Sequence, residues 1–167
     1  MQQHPYSVLA AADVQGKLIL TPCPGTQNST VGAALDTLKQ AGASALLTLM
    51  PADELQRHAI EQLPEHCQQR GIQWFHLPVE DDQAPGEPFQ TAWESNSEQI
   101  KRLLAQGETI AIHCKGGSGR TGLIAAQLLI ESGVGFQDAV NEVQALRPRA
   151  IQHPQHVQYI AQFDLDS

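Results

Sequence analysis

The sequence predicts a single α/β domain, with a central, mostly parallel β-sheet of four to five strands flanked by helices. Three observations carry that reading. Short apolar runs alternate with longer stretches of helical period, the pattern of helices layered on a parallel sheet. The chain has 167 residues, 41% hydrophobic and 17% charged, which suits one compact domain with a real core. No internal repeat, low-complexity tract or linker divides it, so residues 1–167 read as one domain.

The strand candidates are residues 17–20 (KLIL), 45–49 (ALLTL), 72–76 (IQWFH) and 109–113 (TIAIH). Residues 1–15 read as a peripheral N-terminal extension, unless residues 6–9 add an early strand. Val31, Ala34, Leu35 and Leu38 recur at helical spacing, with Ser29 or Thr30 placed to cap that helix and Gly42 to close it. Residues 52–70 read as helix broken near Pro64, with Gly71 as the stop. Phe89, Trp93, Ile100, Leu103 and Leu104 trace one face of a long helix ending before Gly107. Residues 120–132 are apolar nearly all round, which predicts a central, buried helix. Phe136, Ala139, Val140, Val143 and Leu146 mark the next helix, ended by Pro148. Pro154 suits the first turn of a last helix reaching Phe163.

Charge and cysteine content narrow the function. A net charge of −8 argues against nonspecific nucleic-acid or anionic-membrane binding, so an anionic substrate would need a local site working against the global charge. No run approaches the roughly 18 apolar residues of a membrane span. The opening MQQHPYSVLAAADVQG lacks the basic region and long apolar core of a signal peptide, so the cytoplasm is the expected location. Cys23, Cys67 and Cys114 are too few and too widely spaced for a disulfide framework or a zinc cage, and no metal or cofactor is expected. A reducing compartment fits them and keeps a reactive thiol usable.

The stretch HCKGGSGRTG, residues 113–122, joins the strand at 109–113 to the buried helix. In that setting the backbone N–H groups of Lys115, Gly116, Gly117, Ser118, Gly119 and Arg120 curl around a point beyond the strand end, and the helix dipole adds positive potential. This is an anion site, suited to phosphate or a sulfate-like oxyanion. Cys114 lies at its base beside His113, where amides, dipole and arginine favour thiolate over thiol. A thiolate in a phosphate cradle is a nucleophile aimed at phosphorus. Arg120 offers a planar fork that matches two phosphate oxygens.

Two other motifs overlap this loop. Residues 117–122 also satisfy G-x-G-x-x-G, but a dinucleotide fold needs another strand ending in an acid about 20 residues on. Residues 136–147 have helical period instead and run into Arg-Pro-Arg. A Walker A loop fails because Arg120 stands where the lysine belongs and Cys114 where a glycine does.

The Cys-x5-Arg loop, with its flanking His113 and Thr121, resembles the signature of the protein tyrosine phosphatase superfamily, whose small members include the dual-specificity phosphatases. With TPCPGT near residue 21, the acidic loop HLPVEDDQAPGEP at 76–88 and LRPRAIQ at 146–152, it is similar to the kinase-associated branch of that group. The likeness spans about residues 16–163 and implies one α/β domain with a metal-independent cysteinyl-phosphate mechanism. It implies Cys114 as nucleophile, Arg120 as ligand of phosphate and transition state, and Thr121 as a hydroxyl donor to the sulfur. His113 tunes the cysteine through backbone geometry and hydrogen bonding. The leaving oxygen needs a proton, and the 76–88 loop carries Glu80, Asp81 and Asp82 between prolines. The family spacing of three residues after a proline selects Asp81, after Pro78, with Asp82 as the alternative.

The implied partner is a phosphorylated protein or peptide carrying phosphotyrosine or phosphoserine/threonine, and a monomer is expected. A phosphoinositide or small-molecule phosphatase is the alternative enzyme; such enzymes tend to carry a second basic residue where Ser118 stands. A non-catalytic phosphate-binding module is expected to have lost the cysteine, arginine or acid, and all three are present. A sulfurtransferase gives the acidic loop no role. Other residues have bland alternatives: Cys23 as a small packed residue or a protective disulfide partner for Cys114, Cys67 as packing, and Arg147 and Arg149 as site cations or helix caps. His153 and His156 read as surface residues, Trp74 and Trp93 as core.

Overall fold

A computed structural model describes residues 3–164. Its sheet has five strands: β1 (Ser7–Leu9), β2 (Lys17–Thr21), β3 (Ala43–Thr48), β4 (Gln73–His76) and β5 (Thr109–His113). They lie in the order β1-β2-β5-β3-β4; β1 is antiparallel to β2 and the other pairings are parallel. The sheet is therefore mixed only at one edge. Residues 7–9 belong to that edge and are not peripheral: Val8 lies opposite Ile19. The preceding His4 is buried and its Nε2 lies 2.7 Å from the Thr21 hydroxyl oxygen.

Strand side chains alternate between faces, and the two faces feed two cores. Leu18, Leu20, Leu47, Ile110 and Ile112 point to one core, with Ile19, Leu46 and Ala111 to the other. The first core is covered by α4 (Glu87–Ala105), α5 (Gly119–Glu131), α6 (Phe136–Leu146) and α7 (Pro154–Ala161). The second is covered by α1 (Val31–Gln40), α2 (Ala52–Arg57) and α3 (Leu63–Gln69). Double coverage explains why the parallel strands read as nearly unbroken apolar runs.

Thr30 caps α1, its side chain accepting from the Ala33 N–H at 3.1 Å. The break in 52–70 falls before Pro64, which sits in the first turn of α3, where its missing N–H costs nothing. In α5, residues 120–129 are all buried, and Gly122 is required: a Cβ there would stand 2.4 Å from that of Ala150. The parallel strands all end at one edge, stitched by backbone bonds from Leu77 N to Thr48 O (2.9 Å), Val79 N to Leu49 O (2.8 Å) and Cys23 N to Lys115 O (3.1 Å). Ligands bind there in open α/β sheets.

Candidate active site

The predicted cradle sits at the end of the central strand. Cys114 follows β5 and is 4% exposed; its Sγ accepts the Gly117 N–H at 3.3 Å and the Thr121 hydroxyl at 3.1 Å. Both donors are aimed at sulfur, an arrangement suited to negative charge there. Ser118 occupies the N-cap of α5 without making a side-chain cap bond, so the first-turn amides remain available to an anion. Lys115, Ser118 and Gly119 are half-buried and Gly116 is exposed at the rim. Gly117 has a left-handed φ of 81° and presses on the Thr21–Pro22 backbone, where a Cβ would come within 2.6 Å of Pro22 N.

Arg147 is engaged with the backbone of the loop. Its Nε donates to Gly117 O at 2.8 Å and its Nη2 to Leu20 O at 3.0 Å, and its Nη1 donates to Ser7 Oγ at 2.8 Å. It therefore braces the loop from the side of β1 and β2, while Arg149 is exposed. Cys23 is fully buried and unpaired, and burial pushes its thiol up to about 12. Cys67 is likewise buried and unpaired.

Arg120 has a partner that the sequence reading missed. Its Nη1 and Nη2 donate to the two carboxylate oxygens of Glu54 at 2.8 and 2.9 Å, and Nη1 also donates to Val79 O at 2.9 Å. Arg120 is 2% exposed and Glu54 5%, so this is a buried bidentate pair. Burial alone would lower the arginine pKa, but the Glu54 hydrogen bonds and the nearby Cys114 and Asp81 raise it instead. Guanidinium has five donors; three are engaged among the described residues, leaving Nε–H and one Nη2–H for an anion. In the sequence nothing distinguishes Glu54 from an ordinary first-turn acid complementing a helix dipole. The available signal was that a buried arginine needs a carboxylate, and α2 begins at the same sheet edge.

His113 is held in one tautomer by its neighbours. The Trp74 indole N–H can only donate, and it donates to Thr48 Oγ1 at 2.8 Å. That hydroxyl is 2.8 Å from His113 Nε2, while His113 Nδ1 is 3.1 Å from Cys114 O. A carbonyl only accepts, so Nδ1 carries the hydrogen and Nε2 accepts from Thr48. Trp74 is thus more than core: it orders the chain that ends on the cysteine backbone. Trp93 is buried and donates to Glu131.

Burial pushes His113 down to about 4, against the opposing pull of the Cys114 carbonyl bond. The unfolded chain takes up this proton near pH 6.5, before the folded protein does, so stability falls as pH drops from 6.5 towards 4. The His113 contribution is on the order of 3 kcal/mol across that window. Urea unfolding of wild type and His113→Asn at both ends of the window measures it. The variant should show the flatter pH dependence, and equal slopes would remove His113 from the effect.

The acidic loop lies over Arg120. Asp81 is 70% exposed, with its carboxylate 3.6 Å from Arg120 Nη2. Asp82 is exposed, in a left-handed conformation with φ 63°, inside a turn closed by Gln83 N–H donating to Glu80 O at 3.1 Å. His156, read as a surface residue, is 4% exposed and bonded to this loop: its Nε2 lies 2.9 Å from Gln83 O. His153 caps α7, its Nδ1 accepting from Gln155 N–H.

A family model, Tc-R-P, described as a polymorphic toxin system DSP-PTPase phosphatase, matches residues 23–134, a span containing the acidic loop and the whole cradle. The chain belongs to this family. Similar curated proteins include the rat cyclin-dependent kinase inhibitor 3, 29% identical over 131 residues covering 77% of this chain and 60% of that protein. Human protein tyrosine phosphatase type IVA 3 is 27% identical over 128 residues, covering 77% of this chain and 69% of that one. The chain thus spans roughly three-fifths to two-thirds of these curated relatives. Among solved structures, kinase associated phosphatase with its catalytic-site cysteine replaced by serine superimposes with a TM-score of 0.85 at 25% identity, covering 98% of this chain and 95% of that one. The likeness to the kinase-associated branch therefore extends through the three-dimensional fold. Arg147 and His156 lie outside the span matched by the family model.

Proposed function

We propose that the protein is a metal-independent phosphoprotein phosphatase acting through a cysteinyl-phosphate intermediate on phosphotyrosine and on phosphoserine or phosphothreonine. The observation that carries this reading is Cys114 Sγ, at the mouth of an uncapped helix, held by Gly117 and Thr121 beside an arginine fork fixed by Glu54.

In the first step the Cys114 sulfur attacks phosphorus and the ester P–O bond breaks. Asp81, as the acid, gives its proton to the leaving oxygen. The cradle amides from Lys115 to Arg120 and the free edge of the arginine fork take the equatorial oxygens, so catalysis is mostly positioning and electrostatics. In the second step Asp81, now a carboxylate, takes a proton from the attacking water. The P–S bond breaks, and the Thr121 hydroxyl stabilises the departing sulfur. His113 acts only through the Cys114 backbone.

A lipid headgroup bearing further phosphates is the second reading, and the rim disfavours it. A groove of about 490 Å3 beside the acidic loop is walled by Pro51, Ala52, Pro78, Ala84 and Pro88, with Glu80 as its carboxylate, His76 as its imidazole and, among the described residues, no lysine or arginine in its lining. Polypeptide flanking a phosphoresidue suits such a wall better than a polyanion does. The three buried, unpaired cysteines suit a reducing compartment such as the cytoplasm. Turnover of a phosphotyrosine peptide, a phosphoserine peptide and a phosphoinositide, measured side by side, tests the reading. Preference for the phosphoinositide would replace it with the lipid alternative.

The acid is tested separately. Asp81→Asn should lose roughly 100-fold or more with an alkyl phosphate, the scale of a positioned general acid. It should lose much less with an activated aryl phosphate, whose leaving group needs little protonation. The basic limb of the pH–rate profile should flatten. Asp82→Asn should do neither, and an exchange of behaviours would move the acid one residue along.

A further inference from the structure

We infer that His156 is a positioning residue for the general acid, holding the turn that carries Asp81 in register with the phosphate cradle. This rests on the reading of Asp81 as the acid. An exposed carboxylate is not aimed by packing around its own side chain, so beyond the Arg120 charge 3.6 Å away its direction is set by the backbone on either side. Here that backbone has two anchors. On one side Val79 O accepts from Arg120 Nη1 at 2.9 Å; on the other Gln83 O lies 2.9 Å from His156 Nε2, which must donate because a carbonyl only accepts. Between them the turn is closed by Gln83 N–H on Glu80 O, with Asp82 at φ 63°. A non-glycine residue in that region persists only when its surroundings hold it there.

The imidazole also reaches the cradle. Its Cε1 stands 3.8 Å from where a Cβ on Gly119 would be, and Gly119 begins α5 immediately before Arg120. One buried ring, fixed on α7, is therefore bonded to the acid turn and lies next to the start of α5. His153 lies against it with ring centroids 5.5 Å apart, and Asp82 and Arg120 are the charged groups facing it. Burial lowers the pKa of His156, which favours the neutral ring, with its hydrogen on Nε2. Without this anchor the turn keeps its ties at Val79 and the approach of Asp81 to Arg120, and the Asp81 carboxylate spreads over more directions. Proton delivery suffers; anion binding by the cradle does not.

The test compares His156→Phe, which keeps a ring and removes the donor, with His156→Gln, which returns an N–H donor. His156→Leu replaces the phenylalanine variant if thermal melting shows that it does not fold. We expect His156→Phe to lose about 10- to 100-fold in kcat/KM with an alkyl phosphate, part of the span of a general acid, and far less with an activated aryl phosphate. His156→Gln should recover most of the loss, and inhibition by inorganic phosphate should be unchanged in both. In an Asp81→Asn background His156→Phe should add no further leaving-group dependence. Equal losses with both substrates, no loss at all, or an undiminished loss in the Asp81→Asn background would overturn the inference. If Asp81→Asn shows leaving-group dependence and His156→Phe does not, the positioning role alone fails. If Asp81→Asn shows none, the acid assignment has failed first.

Discussion

Cys114→Ser is expected to abolish turnover while leaving phosphate bound. The loss should be on the order of 10⁶-fold, the scale of removing a covalent nucleophile whose partners cannot replace it. A serine hydroxyl is a far weaker nucleophile at neutral pH without a base beside it. The nearest side-chain partner is the Thr121 hydroxyl, itself a donor to the sulfur. The anion site does not depend on the sulfur. It rests on the first-turn amides of α5, the spare edge of Arg120 and the braces that Arg147 and Glu54 supply. Related kinase associated phosphatase crystallises with the same replacement at its catalytic cysteine, so this fold accepts the change. Calorimetry with inorganic phosphate should give similar binding in variant and wild type. Mass spectrometry of wild type, quenched during turnover, should find phosphate on Cys114; phosphate on a histidine or serine would end this mechanism.

The fold was legible because burial leaves a periodic trace. Strands covered on both faces appear as runs such as TIAIH, and an all-round apolar helix such as α5 must be central. The juxtaposition of Cys114, Arg120 and Thr121 was legible because one loop and one helix turn carry all three. What remained hidden is what meets across the fold. Glu54 is 66 residues from Arg120, Thr48 is 65 from His113, and His156 is 73 from Gln83. A buried polar residue satisfied by a distant partner has the same local signature as a solvated one. His156, on a short amphipathic helix, looked like surface for that reason. Arg147, open in the sequence between site cation and helix cap, borders the cradle through Gly117 O, but its fork goes to backbone carbonyls and Ser7.

Arg120 joins chemistry to stability, and its replacement should show both. Arg120→Lys should be nearly as damaging to turnover as Arg120→Ala, with a loss of at least ~100-fold, the scale of removing one preorganised oxyanion donor. An ammonium is a point charge: it cannot span both Glu54 oxygens, hold Val79 O and still offer two aligned donors to phosphate. Arg120→Ala also leaves the Glu54 carboxylate buried without its partner, which should cost about 3–5 kcal/mol of folding stability. Adding Glu54→Gln should return part of that stability, because the orphaned charge is gone, but none of the turnover. Glu54→Gln alone keeps the arginine and its spare donors, so its loss in activity should be well below that of Arg120→Lys. Urea unfolding and kcat measured on the same four variants separate the two roles. If Arg120→Lys turns over near the wild-type rate, the arginine is a structural clamp for the acid loop and the anion is held by the amides alone. If Arg120→Ala is as stable as wild type, the buried pair is not what fixes the fork, and the positioning role given to Glu54 falls.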